Sequence, residues 1–172
     1  MDVLDAIFGR RSIRSYTDEA VSEDDVKLLL KAAMAAPTAR ASREMRYIVV
    51  DDRALLDRIA ELCHNAGMAG KAPLGILVCA DHAAEIAPGY WQQDCAAAIE
   101  NMLLAAHGIG LGAVWTGSYP REERVKIYAE LFKTPENVTP LGFVVIGHPS
   151  KAKEPIDRYE SEYVFRNTWG VQ

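Results

Sequence analysis

The stretch YWQQDCAAAIENMLLAAHGI, residues 90–109, is the longest apolar segment of the chain and decides which folds are possible. Alanines and larger apolar side chains fill most of its positions, so a helix here would be apolar on most of its circumference. Such a helix is buried on nearly all sides, and its small residues let another helix approach closely. The sequence therefore predicts a central core helix, which either packs within one chain or also helps to pack a dimer.

Shorter periodic segments lie on both sides of this helix. Helical spacing and start signals predict helices over 2–8, from the N-cap Ser22 to 35, from Asp51 or Asp52 to 62, and from Pro120 to 131. Apolar runs too short for a globular helix predict strands at 47–50, 74–80, 113–116 and 140–146. The third helix is expected to turn Leu55, Leu56, Ile59 and Leu62 inward, while 38–46 and 63–73 are expected to be irregular. This alternation predicts a layered α+β domain.

The length of 172 residues suits a single domain over 1–172, or one domain that completes itself by dimerising. The net charge of -5, from 19 basic and 24 acidic residues, argues against a general nucleic-acid binder. The tail from Lys151 is polar and aromatic and cannot form its own core. We expect it to lie over this subunit or over a partner.

Cysteine and histidine usage indicates neither a disulfide framework nor a metal site. Cys63, Cys79 and Cys95 are odd in number and form no CxxC pair, and the four histidines are scattered. The acidic start is unlike a signal peptide, and no run of 18 apolar residues suggests a membrane span. These observations predict a protein of the reducing cytoplasm.

The basic stretch, Gly9-Arg10-Arg11-Ser12-Ile13-Arg14, follows the first predicted helix, which Gly9 is expected to end. In extended chain Arg10, Ser12 and Arg14 would point one way, and Arg11 and Ile13 the other. Two guanidinium groups flanking a hydroxyl form a donor set that suits a phosphate monoester. The alternative is a solvated basic patch, which is the usual role of a charge run.

No catalytic constellation accompanies this phosphate-binding pattern. The chain has no GxSxG, no HExxH and no P-loop. The segment Gly108-Ile-Gly-Leu-Gly112 superficially resembles a dinucleotide loop, but it ends a predicted helix instead of opening one. A phosphate site without a catalytic constellation suggests that a bound cofactor carries the chemistry.

Five motifs in order give the chain a family resemblance. They are Arg10-Arg-Ser-Ile-Arg14, Ala36-Pro-Thr-Ala39, Asp94-Cys-Ala-Ala-Ala-Ile-Glu-Asn101, Ala105-Ala-His-Gly-Ile-Gly-Leu-Gly-Ala-Val-Trp-Thr-Gly117 and Gly147-His-Pro149. Together they resemble the nitroreductase superfamily over essentially the whole chain. The resemblance implies a nitroreductase-like α+β sandwich with a mostly antiparallel central sheet, in an intertwined homodimer with FMN at the subunit interface. It also implies ping-pong hydride transfer from NADH or NADPH to nitroaromatics, quinones or related electrophiles.

The resemblance also assigns cofactor-binding residues. Arg10, Ser12 and Arg14 match the phosphate and ribityl contacts, Arg11 lies among them, and Arg158 matches a C-terminal basic residue that closes over the phosphate. Pro37, Thr38 and Ala39 match a loop at the flavin pyrimidine edge, supplied by the other subunit. Thr116 and Gly117 match the turn whose backbone N–H faces flavin N5, where a donor favours reduction. No residue is assigned a catalytic role of its own.

The chain departs from the family pattern directly after this loop. Where the family often has Asn-x-Gln-Pro-Trp, the sequence reads Ala41-Ser-Arg-Glu-Met45. The nearby Arg40, Arg43 and Arg46 are either a solvated basic edge or contacts to the flavin, an anionic substrate or a nicotinamide-cofactor phosphate. This change leaves open a flavin-binding or storage protein with little turnover. A more remote alternative is a phosphate-binding regulatory domain without flavin.

Overall fold

The computed structural model describes residues 1–171 as a four-stranded antiparallel sheet with helices on both faces. The helices are α1 (Val3–Gly9), α2 (Glu23–Met34), α3 (Arg53–Leu62), α4 (Trp91–Gly108) and α5 (Glu122–Phe132). The strands are β1 (Met45–Val50), β2 (Leu74–Asp81), β3 (Gly112–Gly117) and β4 (Val138–Gly147). Short 3-10 turns cover 39–41, 64–71, 82–84 and 161–163. The predicted α+β class is confirmed.

The sheet has the order β1-β2-β4-β3, and β2 and β4 are its central strands. Both are covered on both faces, which explains their unbroken apolar runs in an antiparallel sheet. Along β2, Ile76 and Val78 face one hydrophobic cluster, while Leu77 and Cys79 face the other. The sheet thus separates two cores.

Helices α2 and α4 contribute to the first core, and α3, α5 and the 64–71 turn contribute to the second. Burial around α4 confirms the predicted core helix. Eight of its residues are buried, one of them the acid Asp94, but they recur every three or four positions and form one face. The predicted burial on nearly all sides is therefore wrong for the single chain.

Helix caps explain which boundaries the sequence predicts correctly. The Ser22 hydroxyl accepts the Asp25 N–H at 3.1 Å, and Asp52 Oδ1 accepts the Leu55 N–H at 2.9 Å. The predicted start of α5 at Pro120 is wrong, because the Arg121 N–H donates to the Ser118 carbonyl and closes a turn before Glu122. Leu62 was also predicted inward wrongly; it ends α3 and is exposed.

The basic stretch runs extended along the outer edge of β3, as predicted. Ser12 pairs with Ala113 in a parallel bridge, and the Ile13 N–H donates to the Ala113 carbonyl at 3.0 Å. Further on, Tyr16 bridges to Pro149. The stretch is therefore a positioned element of the sheet.

The C-terminal tail folds back onto this stretch. Lys153 Nζ donates to the Ser12 carbonyl at 2.8 Å, and the Arg11 guanidinium donates to the Glu154 carbonyl. Beyond these contacts the side chains of Tyr159, Tyr163 and Trp169 are largely exposed. Over residues 1–171 no helix combines the length and the apolar character that a membrane crossing needs.

Candidate functional site

A cavity of about 570 Å³ lies between α1, the basic stretch and the tail. It is lined by Ile7, Phe8, Arg10, Arg11 and residues 155–159. Arg158 is among the last group, so three arginines from both ends of the chain line the cavity. Three planar donor forks beside apolar walls suit an anionic group attached to a larger organic body.

Arg10 is held at this cavity by both its backbone and its side chain. Its N–H donates to the Ala6 carbonyl at 3.0 Å and closes α1. Its Nε lies 3.2 Å from Glu100 Oε1 on α4, and the two side chains are 23% and 46% exposed. An ion pair this exposed contributes about 1 kcal/mol or less, so a dianionic ligand can displace Glu100.

The strict alternation predicted for the basic stretch is wrong at its start. Arg10 and Arg11 line the same cavity, because Arg10 still caps α1 and extended chain begins only after it. Ile13 does point inward, 9% exposed, against Gly112, where a Cβ would lie 2.7 Å from Ile13 Cγ2. Ser12 and Arg14 do not line the cavity.

Pro37, Thr38 and Ala39 lie in a loop packed on the start of α4. The Ala39 N–H donates to both carboxylate oxygens of Asp94, at 3.1 and 3.0 Å. The Thr38 hydroxyl donates to the Ser42 carbonyl at 2.7 Å, so it is used within the loop. Asp94 and Glu100 are six residues apart, about 9 Å along the helix. One helix therefore positions both this loop and Arg10.

Thr116 and Gly117 end β3, about 13 Å from the end that binds the basic stretch. The Thr116 hydroxyl is buried and donates to the Phe143 carbonyl at 2.8 Å, so Thr116 can offer a ligand only its backbone. The Gly117 carbonyl accepts from Asn65 Nδ2 at 3.2 Å and from Arg124 Nη1 at 3.1 Å. Neither donor is predicted from the sequence, because Asn65 lies in a segment without periodic pattern and nothing in the sequence links it to Gly117.

Comparisons with known proteins identify the family of this chain. A sequence model of the Nitroreductase family matches residues 7–85 and 64–148. The chain belongs to the nitroreductase family. A relative from Methanothermobacter thermautotrophicus, assigned provisionally as an NADH dehydrogenase/NAD(P)H nitroreductase, is 43% identical over 98% of this chain and 88% of its own length. An FMN reductase [NAD(P)H] from Bacillus subtilis is 30% identical over 90% of this chain and 69% of its own.

A solved structure of the family gives the most direct link to a ligand. A provisionally assigned nitroreductase from Desulfovibrio desulfuricans, crystallised in complex with FMN, superposes with a TM-score of 0.84. It is 33% identical and covers 98% of each chain. The fold and the order of elements described above are therefore those of an FMN-binding relative.

The segment that departs from the nitroreductase pattern has an unusual backbone here. Arg40 and Ala41 both adopt left-handed conformations, with φ of 54° and 55°. The Arg46 guanidinium lies 2.7 Å from Asp81 Oδ2, which accounts for its charge. Arg43 instead lines a second cleft of about 460 Å³ beside Met34 and Tyr47. Arg40 lines a separate cleft of about 380 Å³ with Ile86 and Tyr90, so both Arg40 and Arg43 border space for a ligand.

No group of three or more histidine, cysteine, aspartate or glutamate side chains able to hold a metal ion occurs within residues 1–171. The donors gathered at the site are instead guanidinium groups and backbone amides. These residues fit an organic phosphate cofactor such as FMN.

Proposed function

We propose that this chain is an FMN-dependent oxidoreductase that uses NADH or NADPH to reduce nitroaromatics, quinones or similar electrophiles. The observation that carries the proposal is the convergence of Arg10, Arg11 and Arg158 on one cavity. Charge-assisted hydrogen bonds from three such groups match the dianion of a phosphate monoester. Bound FMN would supply ping-pong hydride transfer through N5, which explains the lack of a catalytic constellation in the sequence.

In this proposal the protein residues bind and orient the cofactor. Arg10, Arg11 and Arg158, which line the cavity, would hold the phosphate. Ser12 and Arg14 do not line it, and the family resemblance alone suggests them as further phosphate and ribityl contacts. Residues 37–39 border the pyrimidine edge of the flavin. The backbone of Thr116 and Gly117 would offer an N–H to the flavin, the kind of donor that favours its reduction. The two side-chain contacts to the Gly117 carbonyl keep that backbone in place.

We further propose that the working unit is a homodimer with FMN at the subunit interface. Helix α1 buries only Ala6 within its own chain, while Val3, Leu4, Ile7 and Phe8 are 46–68% exposed. Two of these exposed side chains, Ile7 and Phe8, also line the arginine cavity. A partner subunit that covers the apolar face of α1 would therefore also enclose the phosphate site.

The proposed function is tested by reconstituting the protein with FMN and mixing it anaerobically with NADH or NADPH. We expect the flavin absorbance to bleach and then to return when a quinone or nitroaromatic acceptor is added. A flavin that stays oxidised with both nicotinamides would contradict the proposal. A protein that cannot be loaded with FMN would favour the phosphate-binding domain without flavin.

One observation supports a second candidate function, that of a flavin-binding protein with little turnover. The Thr38 hydroxyl is engaged within its loop, and Ala41 and Met45 replace the amide and the aromatic platform of the common family pattern. With weaker contacts to the flavin ring, the protein would still hold the cofactor by its phosphate, but reduction of the flavin would be slower. A yellow protein that binds FMN tightly and is not bleached by either nicotinamide would establish this candidate.

A further inference from the structure

The second cleft, of about 460 Å³, lies between the end of α2, the loop of residues 38–43 and β1. Arg43 is the only charged residue that the described part of the chain contributes to its lining, so it is named the Arg43 cleft. Among the described residues it shares none with the arginine cavity. Its volume falls within the range of about 300–1,000 Å³ that small-molecule sites occupy. The Arg43 cleft is therefore a separate place for a small ligand.

The strand β1, at the edge of the sheet, supplies one wall of the Arg43 cleft through alternate residues. Met45 and Tyr47 point to the face of the sheet that carries the first core, and both pack against its buried side chains. Arg46, between them, points to the other face, where Asp81 pairs with it. On the opposite wall Met34 ends α2 and is largely exposed. The cleft is thus an opening of the first core toward solvent.

The walls of the Arg43 cleft suit an aromatic ring. Two methionines and a tyrosine form them, and the Tyr47 hydroxyl lies 3.5 Å from Met45 Sδ. Methionine side chains adapt to irregular shapes, and their sulfur atoms make favourable contacts with aromatic rings. The hydroxyls at the cleft hold the loop together, since Thr38 donates to the Ser42 carbonyl and Ser42 accepts the Ile86 N–H at 3.1 Å. The charged donor that remains for a ligand is the Arg43 guanidinium.

The backbone that carries Arg43 is fixed on both sides. The Ser42 carbonyl accepts the Thr38 hydroxyl at 2.7 Å, and the Arg43 carbonyl accepts Arg46 Nη1 at 2.8 Å. The Arg43 guanidinium itself makes no hydrogen bond or ion pair within residues 1–171, whereas Arg46 is neutralised by Asp81. A cation on a fixed backbone loses less conformational freedom when it binds an anion. Arg43 is therefore placed to bind a charged group of a ligand in the cleft.

We propose that the Arg43 cleft binds a small aromatic carboxylate, with its ring against the methionine and tyrosine side chains and its carboxylate on Arg43. A guanidinium group forms two parallel hydrogen bonds to a carboxylate, and one cation balances this monoanion. The phosphate dianion is matched instead by the three arginines of the other cavity. The inference rests on the proposed function only where the bound molecule is also an electron acceptor, because Thr38 belongs both to the cleft and to the segment that borders the flavin.

The first test compares the binding of benzoate and of benzamide, its neutral analogue of nearly the same shape, to the whole chain without FMN. We expect benzoate to bind the wild type about fivefold or more tightly than benzamide, and this ratio to fall to about twofold or less in Arg43→Gln. Arg40→Gln removes the same charge from the same loop but at the other cleft, so it is the matched control and should keep the wild-type ratio. A ratio that Arg43→Gln leaves unchanged would overturn the proposal.

The second test locates the bound benzoate by NMR of isotope-labelled methionine methyl groups. The methyl signals of Met34 and Met45 should shift on titration, because an aromatic ring lies against both. Met102 is fully buried on α4 and Met68 packs in the second core, so their signals are internal controls and should stay in place. Benzoate that shifts neither Met34 nor Met45 would place the ligand elsewhere and overturn the proposal.

The third test uses the FMN-loaded protein with NADPH and compares 4-nitrobenzoate with 4-nitrobenzamide as acceptors. Each nitro group takes up a hydride equivalent and a proton, becomes a nitroso group and releases water, while NADPH is oxidised to NADP⁺. Arg43→Gln should raise KM for 4-nitrobenzoate about fivefold or more with kcat unchanged, and should leave 4-nitrobenzamide unaffected, because the carboxylate is bound equally before and during reaction.

Two other outcomes separate this inference from the proposed function. If Arg43→Gln raised KM for NADPH and left 4-nitrobenzoate unaffected, the cleft would bind a phosphate of the nicotinamide cofactor, and the proposal would be overturned. If no acceptor were reduced while benzoate bound as expected, the carboxylate site would be supported and only the proposed function would be overturned.

Discussion

Two adjacent non-glycine residues in left-handed backbone, Arg40 and Ala41, mark the loop next to the proposed flavin site. A left-handed conformation costs an L-residue about 1–2 kcal/mol, and asparagine tolerates it better than alanine does. The common family pattern has asparagine where this chain has Ala41. The chain therefore adopts a left-handed conformation at a position where alanine fits less well than asparagine.

Ala41→Gly should raise the stability of the folded protein, because glycine adopts a positive φ without the steric cost. We expect a gain of about 1 kcal/mol, seen as an increase in Tm of about 2–4 °C for a chain of this size. Ala35→Gly, at a residue with φ of -82°, is the matched control and should give no gain. A lower Tm for Ala41→Gly would show that the alanine side chain contributes packing there.

Arg10→Ala should weaken FMN binding by about tenfold or more, since it removes a charge-assisted hydrogen bond to the phosphate. Arg158→Ala should act in the same direction. Arg58→Ala removes an exposed arginine of α3 that pairs with Glu61 and should leave the affinity unchanged. Fluorescence titration of the apoprotein with FMN measures all three, and equal affinities would exclude the arginine cavity as the phosphate site.

At the level of single residues, the sequence predicted what depends on local chemistry. Ser22 and Asp52 cap their helices as expected, because a cap needs only a few neighbouring residues. The burial of Glu44 was not predictable, since a charged residue between an arginine and a methionine is normally exposed. Asn65 and Arg124 were missed because their common partner, the Gly117 carbonyl, is identified only by the folded chain.

Helix α1 differs from the other elements because most of its apolar side chains are exposed and do not pack in the core of their own chain. Helical spacing alone predicts that Val3, Leu4, Ile7 and Phe8 share a face, but it does not say what covers that face. A short helix with this much exposed apolar surface favours a covering partner.

Leu4→Asp should convert the proposed dimer into monomers, because a charge placed in an apolar interface loses its hydration without gaining a partner. Sedimentation velocity measures the change in mass. Leu28→Asp, at an exposed leucine of α2, is the matched control and should remain dimeric. A wild-type protein that sediments as a monomer would contradict the interface, and with it the proposal that a partner encloses the cofactor.

The central elements β2 and α4 carry two thiols that should be chemically inert. Burial raises the pKa of Cys79 to about 12, and it also raises the pKa of Cys95. The reactive thiolate is therefore scarce at neutral pH and increases only as pH approaches these values. We expect neither thiol to react with Ellman's reagent at about pH 8 until the protein is denatured. Rapid labelling of the native protein would show that the sheet opens locally.

At the scale of the whole molecule, helical and strand periodicity predicted the fold class and nearly every element. The strand order and the two-sided core follow from pairings between distant segments, which periodicity does not encode. The family resemblance supplied the site residues. The structure added how they are grouped: Arg10, Arg11 and Arg158 around one cavity, residues 37–39 on α4, and Gly117 at the end of β3.

The contact between Arg11 and Glu154 joins positions 143 residues apart. During synthesis at about 5–20 residues per second, the ribosome needs about 7–30 s to reach the second position after making the first. Until then Arg10 and Arg11, which we propose to bind the phosphate, lack Arg158, and the proposed cofactor site is incomplete. We therefore expect the cofactor to bind only after nearly the whole chain has been translated.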